Sequence, residues 1–292
     1  MKKFLAVLLA VLMVFAVCSC EKKVEEQQSE NEETEAVADN PEETAEEADA
    51  GEDAGEDAGE DAGEDAGETE STTITMATNA YFKPYEYYEG DKIVGIDAEI
   101  AEEIAKKLGK ELVIEDMEFS TIITAVQEGS VDFGMAGMTV TEERKESVDF
   151  SSSYANGVQS IIVKEDSPIT SVDDLYADGA SFKVGVQLGT TGDIYSTDDF
   201  GEDNVIQYSK GNEAVLALVG GSVDCVIIDD EPAKALVAEN EGLKILDTSY
   251  ADEDYAICVA KGNGELLADI NAAIDELTLD GTIDAIVAKY IK

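Results

Sequence analysis

The chain has 292 residues, with 67 acids against 19 lysines and arginines, a formal net charge of -48, and no histidine. An acidic excess of this size argues against nucleic acid and anionic lipid headgroups as partners. Without histidine the usual general base at neutral pH and the commonest metal ligand are missing, which excludes the usual hydrolase triads; no cysteine spacing resembles a metal site, and no motif asks for a cofactor.

Met1-Lys2-Lys3 is a positively charged start, followed by an uninterrupted apolar run from Phe4 to Val17. That run is too short to cross a bilayer comfortably, so it reads as an export signal. Val17-Cys18-Ser19-Cys20 resembles the bacterial lipobox, in which cleavage precedes a cysteine that is then acylated. Ser19 is the small residue expected before the cut. The resemblance therefore implies a signal peptide over 1–19 and lipidation of Cys20, not Cys18.

Residues 21–71 hold 23 acids and two lysines, and from Ala50 to Asp65 they repeat Ala-Gly-Glu-Asp four times. A segment with high charge and no apolar face cannot offset the entropy of ordering, so residues 20–71 are expected to be a disordered tether starting at the lipidated cysteine. Roughly 50 residues give an ideal-coil span of about 40 Å, which self-repulsion stretches towards a limit near ~175 Å.

From Thr72 the pattern becomes that of a packed domain. Thr73–Ala77 is strand-like and runs into Asn79-Ala80-Tyr81-Phe82-Lys83-Pro84. Ile96, Ile100, Ile104 and Leu108 recur at helical spacing, with Asp97 as the expected N-cap of a helix over Ala98–Leu108. A strand at Leu112–Ile114, a helix over Thr121–Glu128 capped by Ser120, and a strand at Val131–Met135 follow. Then comes Ala136-Gly137-Met138-Thr139-Val140-Thr141, ahead of Arg144, the single arginine of the chain.

Strands and helices keep alternating: strands at Val158–Val163, Lys183–Val186, Asn204–Tyr208, Cys225–Ile228, Lys244–Leu246 and Tyr255–Val259, helices at Val172–Tyr176, Asn212–Val219 and Glu231–Glu239. Two closing helices over Glu265–Ile291 are broken at Asp280-Gly281. Strand–helix alternation of this kind predicts an α/β protein with mainly parallel sheets, long enough for two lobes. Cys225 and Cys258 sit inside apolar strands and read as buried free thiols.

Ligands of open α/β sheets lie beyond the strand C-termini. Three loops qualify: Asn79 to Tyr85, the Gly137–Arg144 stretch, and Gln187-Leu188-Gly189-Thr190-Thr191-Gly192. Arg144 offers a planar fork suited to a carboxylate, or is a solvated helix residue among Glu142, Glu143 and Glu146. The Gly/Thr loop before Asp193 places bare backbone N–H groups at a helix start, which suits an anion. Asp229 leaves the apolar run Val226–Ile228 and either binds a cation or caps the next helix.

Taken in order, Phe82-x-Pro84-Tyr85-Glu86, Gly95-Ile-Asp-Ala-Glu-Ile100, Ala136–Thr141, Glu143-Arg144-Lys145, Val148-Asp-Phe-Ser151 and Asp280-Gly-Thr resemble the polar amino-acid-binding proteins of ABC importers, the family-3 extracellular solute-binding proteins. The resemblance covers about 72–292 and implies the type II periplasmic-binding-protein fold, in which two lobes are joined by two crossing strands with the ligand between them. It places the crossings near Ala155–Ser160 and Tyr250–Tyr255, lobe one over 72–156 plus 253–292, and lobe two over 157–252.

By the same resemblance Arg144 clamps the ligand α-carboxylate, helped by Thr139 and by the backbone N–H groups of Thr139 and Thr191, with Thr190 and Gln187 also among the ligand-binding residues. Asp229 and the Gly137 carbonyl take the α-ammonium, and Phe82 and Phe119 pack on the side chain. The implied protein is no enzyme: it captures a free amino acid, delivers it to the membrane permease of an ABC importer, and touches the membrane only through its lipid anchor. A monomer on the outer face of the cytoplasmic membrane, of the Gram-positive type, is expected. Asn79 and Gln187 stand where relatives binding basic side chains or glutamine carry charges. Dibasic ligands are therefore less favoured than a neutral polar or apolar amino acid, unless Glu86 restores a negative site. Two rivals remain: a sensor subunit for a membrane signalling partner, and a cyclohexadienyl or arogenate dehydratase on the same fold.

Overall fold

The computed structural model describes residues 71–291. The export signal, Cys20 and the tether up to Glu70 lie outside the described residues.

Two sheets form the body. The first is ordered Glu111–Asp116, Thr73–Thr78, Phe133–Gly134, Cys258–Ala260, Val148–Phe150. Its first three strands are parallel, and Cys258–Ala260 runs antiparallel to both neighbours. The second is ordered Val205–Tyr208, Val184–Gln187, Cys225–Asp229, Ala155–Lys164, Leu243–Ile245, with Ala251–Tyr255 also paired to Ala155–Lys164. Here too the first three strands are parallel, and Ala155–Lys164 opposes its partners. The α/β class thus holds, with an antiparallel portion in each sheet. That portion has a physical origin: a chain arriving from the other lobe runs against strands built by strand–helix–strand crossovers.

Burial explains the elements. Ile96, Ile100 and Ile104 are all fully buried on one face of the helix Ile96–Lys107, packing with Ile74, Met76, Ile270 and Ile274. In the second lobe the strands are apolar on both faces. Ile161, Val163 and Ile227 enter one cluster, while Ile162, Val226 and Ile228 enter another with Ala214, Val215 and Leu218. Successive strand residues point to opposite faces, so a continuous apolar run marks a strand covered on both sides. Cys225 and Cys258 are buried free thiols, each pushed up to about 12 by burial.

Several local expectations shift. Asp97 is no N-cap: the helix starts at Ile96, and its first N–H groups are taken by the carbonyls of Pro84 and Tyr85 at 3.1 and 2.9 Å. Asp97 is thereby released to turn inward. Ser120 lies within a single 3-10 turn, Phe119–Thr121, and the following helix Ile122–Glu128 has no side-chain cap. Tyr255–Val259 divides into Ala251–Tyr255 and Cys258–Ala260, because one half pairs in each sheet. A small antiparallel sheet of Tyr81–Phe82, Glu86–Glu89 and Lys92–Val94 was not anticipated. Its sequence signal was Gly90-Asp91, a two-residue hairpin loop between short runs.

Gly95 and Gly90 form a natural test. Gly95 has φ +132°, and a Cβ there would lie 2.8 Å from the Pro84 carbonyl oxygen and closer still to that of Tyr85, whereas Gly90, at φ +66°, faces open space. Gly95→Ala is expected to lower unfolding stability by about 2 kcal/mol or more and Gly90→Ala by about 1 kcal/mol, measured by urea denaturation. Equal losses would show that the carbonyl contact is not what requires glycine at 95.

Candidate functional site

A cavity with about 460 Å³ of empty volume lies between the two sheets. The ten residues singled out in the sequence all line it: Asn79, Phe82, Phe119, Gly137, Thr139, Arg144, Gln187, Thr190, Thr191 and Asp229. So do Glu86, and Gln159, Glu253 and Tyr255 of the crossing strands. Those last three escaped the sequence reading, although a polar Gln159 inside an apolar strand was a usable signal.

Arg144 is buried on the short helix Glu142–Ser147, which Thr141 caps by accepting the Arg144 backbone N–H at 3.1 Å. The helix turn aims the guanidinium inward, away from its acidic neighbours. Nη1 donates to the Thr139 carbonyl at 2.8 Å and Nη2 to the Gly189 carbonyl at 3.0 Å, and the group stacks over the Phe119 ring at 5.4 Å. Two of its five N–H donors are thus used on neutral carbonyls, and no carboxylate among the described residues is bonded to it. Burial lowers its pKa, against the pull of Glu253; Arg nonetheless stays charged.

Thr190 caps the helix Thr191–Phe200, accepting from the Asp193 N–H at 3.3 Å, so the Thr191 end of that helix faces the cavity with the unpaired N–H groups of a helix start. Gly137 has φ +54°, and a Cβ there would sit 2.8 Å from the Phe82 ring. Phe82 in turn stacks on Tyr85 at 5.7 Å.

Asp229 is fully buried at the end of Cys225–Asp229. Of the two readings of this residue, the helix cap is realised. Its Oδ1 caps the next helix by accepting the Glu231 N–H at 3.2 Å, and the side chain also lines the cavity. Oδ2 accepts the Val158 N–H at 3.0 Å and the Tyr255 hydroxyl. Even so, burial pushes this carboxyl up to about 7. Gly157 is required beside it, since a Cβ there would lie 2.6 Å from Oδ2.

The amides across the cavity serve each other. Gln187 Nε2 donates to Asn79 Oδ1 at 2.9 Å, and Asn79 Nδ2 to the Met117 carbonyl at 2.7 Å. Beneath the cavity Asp97 Oδ2 accepts the Gly137 N–H at 2.8 Å and the Tyr154 hydroxyl at 2.7 Å, and burial pushes Asp97 up to about 6. Among the described residues no group of acids, cysteines or histidines has the arrangement of a metal site.

The model of the bacterial extracellular solute-binding proteins, family 3, matches residues 74–292. The chain belongs to that family. It is a binding protein rather than an enzyme, and the family places it outside the cytoplasm. It is 33% identical over 226 residues to the arginine-binding extracellular protein ArtP of Bacillus subtilis, covering 74% of this chain and 85% of that one. It is 34% identical over 204 residues to the ABC transporter glutamine-binding protein GlnH of the same organism, covering 69% and 74%. Among solved structures, an ancestral arginine-binding protein bound to arginine is 40% identical with a TM-score of 0.70, covering 76% of this chain and 99% of that one. An ancestral arginine-binding protein bound to glutamine is also 40% identical, with a TM-score of 0.71, covering 75% of this chain and 98% of that one.

The buried acids fix a pH dependence. Asp229 and Asp97 each hold a proton more tightly folded than unfolded, so their contribution to stability is full near pH 4 and is lost as pH rises through about 7 and about 6. Lowered carboxyls such as Asp174 titrate below that window. Stability without ligand is therefore expected to fall between about pH 5 and 7.5, and Asp229→Asn to flatten that slope. Chemical denaturation across this range measures it; a slope unchanged in Asp229→Asn would refute the assignment.

Proposed function

We propose that this solute-binding protein captures one α-amino acid between its lobes and delivers it to the permease of an ABC importer, tethered through Cys20 and residues 20–71. The observation that carries the reading is the burial of Arg144 and Asp229 around a single cavity, from loops of different lobes. A guanidinium fork with unused donors and a buried carboxylate without a cationic partner among the described residues are the two complements of a zwitterion. The relatives point the same way: those described above are named for binding arginine or glutamine, or hold one of them.

In this reading the α-carboxylate lies on the Arg144 fork and the Thr191 helix end. The α-ammonium lies on Asp229, where a positive charge offsets the burial that raises its pKa. Phe82 and Phe119 hold the side chain, and the proposed lobes keep the boundaries 72–156 plus 253–292 and 157–252. Only a ligand touching both lobes favours closure, because an equilibrium shifts by the differential affinity for its two states.

Arg144→Ala is expected to weaken amino-acid binding by about two to three orders of magnitude, since removing one partner of a buried pair costs ~3–5 kcal/mol. Arg144→Lys should recover little of it, because an ammonium lacks the fork. Titration calorimetry against the amino acids decides this; near-normal affinity in Arg144→Ala would refute the site. Closure has a second handle away from the ligand. Lys210 Nζ, from the second lobe, lies 3.5 Å from the Tyr81 ring centroid in the first. Lys210→Met is expected to weaken binding about two- to fivefold, the worth of an exposed cation–π contact, with the binding specificity unchanged.

A further inference from the structure

Glu86 is fully buried and lines the cavity, and among the described residues no N–H or O–H donates to either of its carboxyl oxygens. Asp97 Oδ1 is orphaned in the same way, although its Oδ2 is well satisfied. The two orphans explain each other. The Glu86 and Asp97 carboxyls lie in hydrogen-bonding contact, which two carboxylates cannot use unless one carries a proton.

The surroundings decide what could replace that proton. The charged groups acting on Glu86 are Asp97 from the helix Ile96–Lys107, Asp116 from the end of Glu111–Asp116, and Asp229 from the second lobe. The phenols of Tyr85 and Tyr154 complete the set. All the charges are negative, and together with burial they drive Glu86 well above the ordinary carboxylate range. Arg144 offers no relief, being bonded to the carbonyls of Thr139 and Gly189. A zwitterion satisfies Arg144 and Asp229 and leaves Glu86 as it was. Asn79 and Gln187 make no matching demand on a ligand side chain, because they bond each other.

We propose that Glu86 and Asp97 form a buried carboxyl pair sharing one proton, and that this pair is the subsite for the side-chain cation of a basic amino acid, which displaces the proton to solvent on binding. The proposal rests on the amino-acid-binding reading and names its ligand class. In the step the Glu86 O–H bond breaks, the proton passes to buffer, and a guanidinium or ammonium N–H takes its place against the carboxylates.

The test is titration calorimetry of the full chain with L-arginine and L-glutamine, near pH 7, in buffers of different ionisation enthalpy, with Glu86→Gln alongside. The amide of Glu86→Gln mimics the protonated acid towards Asp97, so the fold is retained. Asp229 releases some proton with any amino acid, so the informative quantity is the difference between ligands. Arginine is expected to release about one proton more than glutamine from the unaltered chain. Its affinity should rise more steeply with pH than that of glutamine, by about tenfold per unit. In Glu86→Gln the excess proton should vanish, and arginine should weaken at least about tenfold while glutamine changes little. Equal proton release by the two ligands, or an excess that survives in Glu86→Gln, overturns the proposal while amino-acid binding stands. Binding of glutamine without arginine also overturns it, and binding of neither overturns the underlying reading as well.

Discussion

The constraint on which this structure turns is the burial of charge without a counter-ion. Arg144 is removed from water and given only carbonyls and the face of Phe119. Asp229, Glu86 and Glu253 line the same cavity, and the first two are held above their ordinary range by burial. An uncompensated buried charge costs several kcal/mol, so such an arrangement persists only where the rest of the fold over-determines it. Here the over-determination is visible. The short helix Glu142–Ser147 with its Thr141 cap aims the arginine, and glycines at 137 and 157 keep Cβ atoms away from Phe82 and Asp229.

Asp229 also joins the site to the crossing strands. One of its oxygens is shared by the Val158 N–H on the strand leaving lobe one and the Tyr255 hydroxyl on the strand returning to it. Those strands pair with each other in register, Ala155 against Tyr255 and Gln159 against Ala251. Gln159 Nε2 then reaches across to Glu253 Oε2 at 2.9 Å. A charge placed on Asp229 therefore acts on the connection between the lobes as well as on the ligand. The carboxylate proposed to take the α-ammonium is at once a helix cap, a hinge tie and a cavity wall.

The sequence was most informative where a local pattern has one physical solution. Isoleucines at helical spacing, apolar runs covered on both faces and Gly/Thr loops after strands gave the class and the three loops that meet at the cavity. It was misleading at Asp97, where an acid at a helix start has an obvious local use. Backbone carbonyls of Pro84 and Tyr85 took that use over, and the carboxylate went to Gly137 and Tyr154 instead. Tertiary competition of this kind leaves no trace in spacing. The same holds for the meeting of Asn79 with Gln187, 108 positions apart, which turns two expected ligand readers into partners of each other. Glu86 showed as an acid near the site, but its pairing with Asp97 requires the fold.

Closure energetics follow from how little the lobes share directly. Among the described residues the polar contacts between the lobes include the Asn79–Gln187 hydrogen bond and the one from Arg144 to Gly189, with Lys210 over Tyr81 and an exposed Lys83–Glu239 ion pair of 3.9 Å at the rim. Each net hydrogen bond contributes about 0.5–1.5 kcal/mol and the exposed cation–π contact about 0.5–1 kcal/mol. Together these three contribute roughly 1.5–4 kcal/mol, a small part of what holds the two lobes in place. In the proposed function a ligand contributes a carboxylate to Arg144 and a cation to Asp229, adding attraction between the lobes and easing the burial of charge. The acidic cavity is then not a defect of the empty state. It is what the cation of the proposed ligand would offset.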